Sequence, residues 1–165
     1  MTIKTGDKIP SVIIKNLTPD GMQDLVTDSV FTGKNVVLFA VPGAFTPTCS
    51  AKHLPGYVRL LSEFKARGVD VACLAVNDPF VMKAWRAEHK ADGITMLADG
   101  NGTFTKALGL EMDGSAYGLG MRAQRFAMYV ENGVVKSLSV EKPGAFEESS
   151  AEAMLKSVGG NKAAA

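Results

Sequence analysis

Very little cysteine is present, two residues in 165. That excludes a disulfide framework, and a chain of this length buries enough core not to need one. No charge of one sign dominates: 18 Lys and Arg face 17 Asp and Glu, for a net charge of +1. Neither an electrostatic footprint for nucleic acid nor a basic patch for an anionic membrane is expected. Long hydrophobic runs are also lacking. The longest, residues 36–41 and 71–76, have strand length and fall far short of the about 20 apolar residues of a membrane span. The opening MTIKTGDKIPS carries no apolar stretch of the secretion-signal kind, so a cytoplasmic protein is expected. Repeats and linkers are absent. With 46% hydrophobic residues, 17 Gly and 7 Pro, the chain is neither low-complexity nor disordered, and residues 1–165 are expected to form one domain.

What is there is a regular alternation of elements. Residues 35–41, NVVLFAV, read as a strand apolar on both faces, followed by a loop at 42–48. Residues 49–67 read as a helix, with Leu54, Val58, Leu61 and Phe64 at spacings of three and four. Pro55 is expected to kink it, and Gly68 stands where a C-terminal cap belongs. Residues 69–76 form a second buried strand. Asp78 and Pro79 pair as N-cap and first-turn proline of a helix reaching about residue 90. A short strand at 94–98, a short helix at 103–108 and a glycine-bearing loop at 110–124 follow. Residues 125–131 and 134–140 flank Asn132-Gly133, a strong hairpin signal. Ser149 with Glu152 makes a capping box for a helix at 150–158. Apolar strands alternating with helices and closing on an antiparallel hairpin give an α/β class, a central mixed β-sheet flanked by helices.

Cys49 stands just past the C-terminal end of a buried strand and in the first turn of a helix, where chemistry gathers in open α/β sheets. The open N–H groups and dipole of that turn favour an anion. One helix terminus supplies about 0.3–2 kcal/mol, whereas moving a thiol pKa by about 2.5 units takes roughly 3.4 kcal/mol. A nearby cation is therefore expected. Arg125, opening the apolar strand RFAMYV, is better placed for this than Arg122 in the preceding loop. His53, four residues beyond Cys49, raises two other arrangements: paired metal ligands, or a Cys–His nucleophile with His53 as base. The other soft ligands, Cys73 and His89, each stand alone in their element, and no Asx partner or oxyanion motif accompanies His53. No metal and no cofactor are expected.

Residues 42–49, PGAFTPTC, match the pattern Pro-x-x-x-Thr-x-x-Cys. The match extends through CSAKHLPGY at 49–57, VNDPFVMKAW at 76–85, RAQRF at 122–126 and VEKPGAFEESSAE at 140–152. On these residues nearly the whole chain resembles the peroxiredoxins, and the peroxiredoxin 5-like (type II) group in particular. The resemblance implies a thioredoxin-like fold and a thiol-dependent peroxidase that reduces hydrogen peroxide and organic hydroperoxides in antioxidant defence. Cys49 is then the peroxidatic nucleophile, passing through a sulfenic acid. Thr46 orients the peroxide, Pro42 shields the sulfenic acid, and Arg125 holds the thiolate and stabilises charge as the O–O bond breaks. Also implied are a hydroperoxide substrate, a thiol reductant (glutaredoxin with glutathione, or thioredoxin), a homodimer, a thiol pocket bordered by His53, and a pocket rim or dimer contact at Phe45, Phe80 and Leu119, residues that read equally as ordinary core. The non-enzyme alternative, a binding module of the same fold, leaves the Thr46-to-Cys49 pattern unexplained.

The route of recycling stays open between two schemes. Within the resembled group, a resolving cysteine near the C-terminal helix falls at a position that is Ser149 here, whereas Cys73 matches the position used in plant type II members. Yet Cys73 sits inside VACLAV and reads equally as a small buried hydrophobe. A helix of about 18 residues is roughly 27 Å long, and about four strand residues recover only roughly 13 Å. A pairing with Cys49, which tolerates about 7 Å between Cα atoms, is then expected to need local unwinding; otherwise an external thiol attacks Cys49 directly. With no CxxC, the chain is not itself a thioredoxin-type reductase.

Overall fold

The computed structural model describes residues 2–164, with side chains through 158. An antiparallel pair, β1 (Ile13–Thr18) and β2 (Gly21–Val26), precedes a single helical turn, α1 (Asp28–Phe31). The chain then runs through β3 (Asn35–Ala40), a π-turn (Cys49–His53), α2 (Leu54–Ala66), β4 (Val69–Ala75), α3 (Pro79–Glu88), β5 (Thr95–Ala98) and α4 (Thr103–Leu108). A short pair, β6 (Glu111–Asp113) and β7 (Met121–Ala123), leads to β8 (Phe126–Glu131), β9 (Val134–Val140) and α5 (Ala151–Ala164).

The central sheet has the order β5-β4-β3-β8-β9. Its β3–β4 and β4–β5 pairs are parallel, and its β3–β8 and β8–β9 pairs antiparallel. This is the mixed sheet flanked by helices that the apolar runs predict. Strand period 2 divides each run between two layers. Val37, Phe39, Cys73, Ala127 and Tyr129 face the helices α2, α3 and α5, together with Tyr57, Trp85 and Met154. Val36, Leu38, Leu74, Phe126 and Met128 face α4, α1 and the N-terminal segment, meeting Phe104, Phe31 and Ile14. At the hairpin, Asn132 and Gly133 both have positive φ, +48° and +79°, the conformation that a two-residue primed turn demands.

Several local expectations are corrected. Pro55 does not kink a continuous helix. It lies in the first turn of α2, where a missing N–H is tolerated, and the π-turn ahead of it takes up the register shift with a bond from the Leu54 N–H to the Cys49 carbonyl. The capping box does not form at Ser149: Ser150 caps α5, its hydroxyl accepting from the Ala153 N–H at 3.1 Å, while Glu152 pairs with Arg59. Within residues 110–124, expected to be loop throughout, β6 and β7 pair through Glu111–Ala123 and Asp113–Met121. The β1–β2 pair was not signalled by periodicity. By contrast, Asp78 caps α3 as expected, accepting from the Val81 N–H at 2.8 Å.

Candidate active site around Cys49

β3 ends where Pro42 removes a ladder donor, and the chain turns through residues 42–48 before the first helical bond, from the Ser50 N–H to the Thr46 carbonyl at 2.9 Å. Cys49 thus lies in the first turn, where backbone N–H groups point out of the helix, and its side chain is fully buried. The loop is tied down at several points. The Ala44 N–H donates to Asn77 Oδ1 at 2.9 Å, and the Thr46 hydroxyl donates to the Gly43 carbonyl at 2.7 Å. Between them Phe45 holds φ at +65°, a left-handed conformation costing a non-glycine residue about 1–2 kcal/mol that the surrounding bonds sustain.

Arg125, the residue before β8, is the cation at the sulfur. Its Nη2 donates to Cys49 Sγ at 3.2 Å and its Nη1 to His53 Nδ1 at 2.7 Å. The guanidinium also lies 5.9 Å from the centre of the Phe146 ring. Arg122, the rival cation, does not reach Cys49. In β7 it donates from Nη1 to the Pro42 carbonyl at 3.1 Å and from Nε to the Leu119 carbonyl at 2.9 Å.

His53 is fully buried, and both of its nitrogens are engaged. Since Arg125 can only donate, Nδ1 accepts, so Nε2 carries the proton and donates to the Ser149 carbonyl at 2.9 Å. Burial, reinforced by the Arg125 charge, lowers the His53 pKa from 6.5 to about 3. The ring is a neutral bridge with no free nitrogen, so it cannot take a proton from Cys49 as the base of a Cys–His pair. Among the described residues no group of three His, Cys, Asp or Glu side chains is arranged to hold a metal.

Behind the bridge lie Tyr57, Ser149 and Glu141, to which no site role is expected from the sequence. The Ser149 carbonyl also accepts from the Tyr57 hydroxyl at 2.8 Å. Ser149 is itself fixed by the buried Glu141, whose Oε2 accepts from the Ser149 N–H, the Ser149 hydroxyl and the Glu147 N–H, each at 2.7 Å. Burial pushes the Glu141 carboxyl up, but these donors outweigh it and hold it below the usual carboxylate range. Their only sequence trace is the spacing of Glu141 and Ser149 within 140–152.

The remaining expected residues divide. Leu119 lines a cavity of about 590 Å³ with Pro42, Thr48, Tyr117 and Arg125. Cys49, Thr46 and His53 are not on its wall, and neither are Phe45 and Phe80, which are exposed, at 53% and 63%. Cys73 is fully buried within β4, paired in register with Phe39 and Met96. It shares the Cys49 layer of the core, and both thiols are free. Burial pushes the Cys73 thiol well above its ordinary value, and the neighbouring Cys49 adds to this.

A family model, Redoxin, matches residues 4–155. Chloroplastic peroxiredoxin-2E of Arabidopsis thaliana is 47% identical over 163 residues, spanning 95% of this chain and 70% of that protein. Peroxiredoxin-2C of the same plant is 44% identical over 159 residues, spanning 94% and 98%. Among solved structures, reduced Prx3 of Vibrio vulnificus in complex with H2O2 is 52% identical, with a TM-score of 0.92, covering 95% of this chain and 99% of that one. Peroxiredoxin 5 of Alvinella pompejana is 38% identical, with a TM-score of 0.84, covering 95% and 98%.

Proposed function

Because this chain belongs to the peroxiredoxins, has their thioredoxin-like fold and is a thiol-dependent peroxidase, we propose that Cys49 is its peroxidatic nucleophile and Arg125 its charge-stabilising partner. The observation that carries the reading is the 3.2 Å bond from Arg125 Nη2 to a sulfur buried in the first turn of a helix. The thiolate attacks the terminal oxygen of a hydroperoxide, the O–O bond breaks, and the leaving oxygen takes a proton to depart as water or an alcohol. Cys49 is left as a sulfenic acid. Charge develops along the S–O–O line, where the guanidinium and the first-turn N–H groups lie ready to meet it. The Thr46 hydroxyl commits its proton to the Gly43 carbonyl, so its lone pairs are available to accept from the peroxide O–H. Pro42, on the cavity wall, shields the sulfenic acid from water, and the apolar Leu119 beside it suits organic hydroperoxides as well as hydrogen peroxide.

An external thiol, supplied by glutaredoxin with glutathione or by thioredoxin, then attacks the sulfenic sulfur and expels water to form a mixed disulfide, and a second thiol attacks the outer sulfur, taking it into a new disulfide and releasing Cys49 as the thiol. Burial of Cys73 favours this route over an internal disulfide, because the thiolate is the attacking form. Phe45, exposed on the 42–48 loop, and Phe80, exposed in the first turn of α3, are the proposed contact of a homodimer; the Ala44–Asn77 bond joins that loop to the segment leading into α3. The setting is a reducing compartment such as the cytoplasm, where a thiol donor is available.

Intact mass after one equivalent of hydrogen peroxide, without added thiol, tests the cycle. A gain of one oxygen is expected. Loss of two hydrogens without an intermolecular link would replace the external-thiol route with a Cys49–Cys73 disulfide. No change over minutes would overturn the peroxidatic role of Cys49.

A further inference from the structure

Arg122 makes no contact with the reacting sulfur, yet it is built into the active-site loop from two sides. One nitrogen donates to the Pro42 carbonyl at 3.1 Å and another to the Leu119 carbonyl at 2.9 Å. Leu119 is a firm anchor. It belongs to a tight turn closed by the Gly114 N–H to the Gly120 carbonyl at 2.7 Å and the Leu119 N–H to the Gly114 carbonyl at 3.0 Å. On the loop side, Gly43 makes room for the guanidinium. A Cβ at Gly43 would lie 2.5 Å from Arg122 Nη1 and 3.1 Å from Thr46 Cγ2. Gly43 is not among the residues with positive φ, so its backbone does not require glycine. What glycine leaves open is the space the guanidinium occupies, so that a larger residue would have to push the arginine off its two carbonyls.

We propose that Arg122 is a positioning residue for the peroxidase reaction: its planar fork clamps the Pro42 carbonyl to the 114–120 turn and so sets the wall over Cys49, with Gly43 left bare to admit it. The inference rests on Cys49 and its loop being the peroxide site. The clamp acts on two groups at once. Pro42 is part of the cavity wall, and Gly43, next to it, supplies the carbonyl that takes the Thr46 proton. A shift of the 42–43 peptide therefore moves both the shield and the hydroxyl that receives the peroxide. A lysine in place of Arg122 can reach one carbonyl but cannot hold two in a fixed plane.

The test compares the parent, Arg122→Ala, Arg122→Lys, Gly43→Ala and the Gly43→Ala/Arg122→Ala double variant, with Cys49→Ser as reference. Two rates are read: peroxide consumption and alkylation of Cys49 by iodoacetamide, which needs the thiolate but no peroxide geometry. A misplacement of about 1 Å is worth on the order of 100-fold in rate, so Arg122→Ala is expected to slow peroxide consumption about 10- to 100-fold while alkylation stays within about threefold. Added guanidinium salt should restore part of the rate in Arg122→Ala and none in Gly43→Ala. Gly43→Ala should reproduce the loss alone and add less on top of Arg122→Ala, because the colliding side chain is then gone. Peroxide consumption at the parent rate in Arg122→Ala would overturn the proposal. So would an equal fall in both rates without guanidinium rescue, which marks general loosening of the site. If Cys49→Ser itself consumes peroxide at the parent rate, it is the proposed function that fails.

Discussion

Two cysteines lie fully buried in the same layer of one core, and they differ in what meets the sulfur. Cys49 stands at the start of a helix, against a π-turn, with a guanidinium nitrogen on its sulfur. Cys73 stands in the middle of a central strand between two others, its burial raising the thiol's proton affinity. Burial alone therefore does not decide what meets a sulfur. What separates the two is whether the burying elements aim a donor at the sulfur. Helix starts and strand ends do this; the interior of a sheet spends its backbone donors on its own ladder.

The sharpest break in the comparison comes from exchanging each sulfur for oxygen. Cys49→Ser is expected to lower peroxide turnover by at least about 1,000-fold, whereas Cys73→Ser should keep turnover with a small thiol reductant within a few-fold of the parent. Equal losses in the two would erase the distinction. Next in size is the donor itself: Arg125→Lys should cost about 100-fold in the rate of peroxide attack, with alkylation of Cys73 in the folded protein staying negligible in both forms. Measurable labelling of Cys73 before unfolding would show that the sheet does not protect it as its burial implies.

A third effect is one of stability. His53 is neutral in the folded protein down to about pH 3 but protonates near 6.5 when exposed. The unfolded chain therefore binds the extra proton first, and stability present above about pH 6.5 is lost as pH falls toward 3. The loss is at most roughly 5 kcal/mol. His53→Gln, whose amide can donate to Ser149 and accept from Arg125, should flatten the fall in urea midpoint between pH 7 and 4.5 and keep peroxide turnover within about fivefold of the parent. An unchanged slope would separate acid sensitivity from His53, and a collapse of turnover at neutral pH would return acid–base work to the ring. Smallest is the remote support. Glu141→Gln should lower stability by about 1–3 kcal/mol, seen in the same urea titration, while leaving the order of reactivity of the two thiols unchanged.

The sequence carried much of this. Uninterrupted apolar runs marked β3 and β4, because a strand covered on both faces has no polar side to show. The pattern from Pro42 to Cys49 pointed to the sulfur at the helix start, and RAQRF offered both arginines with Arg125, opening a strand, the better placed; what keeps Arg122 off the sulfur was not legible. That depended on the turn at 114–120, which holds Arg122 onto Pro42 and leaves Arg125 to face inward. The β1–β2 pair escaped notice because Gly21–Val26 is mostly solvated and shows no clean alternation of apolar and polar residues. The three-residue strands β6 and β7 are too short for any period to register. Glu141 was unreadable for another reason: its three donors come from residues brought back by a loop, and a lone glutamate before a Pro-Gly pair reads as surface.

The indole of Trp85, fully buried, donates to the Ser50 hydroxyl at 3.0 Å. Ser50 follows Cys49 directly, and the chain has one tryptophan. A rearrangement of the first turn that shifts Ser50 would stretch that bond and change the polarity around a single chromophore. That bond makes the indole the expected optical reporter of the first turn. Its emission should step once with stoichiometric peroxide and return when thiol is added, so each half of the catalytic cycle can be timed in the unlabelled protein.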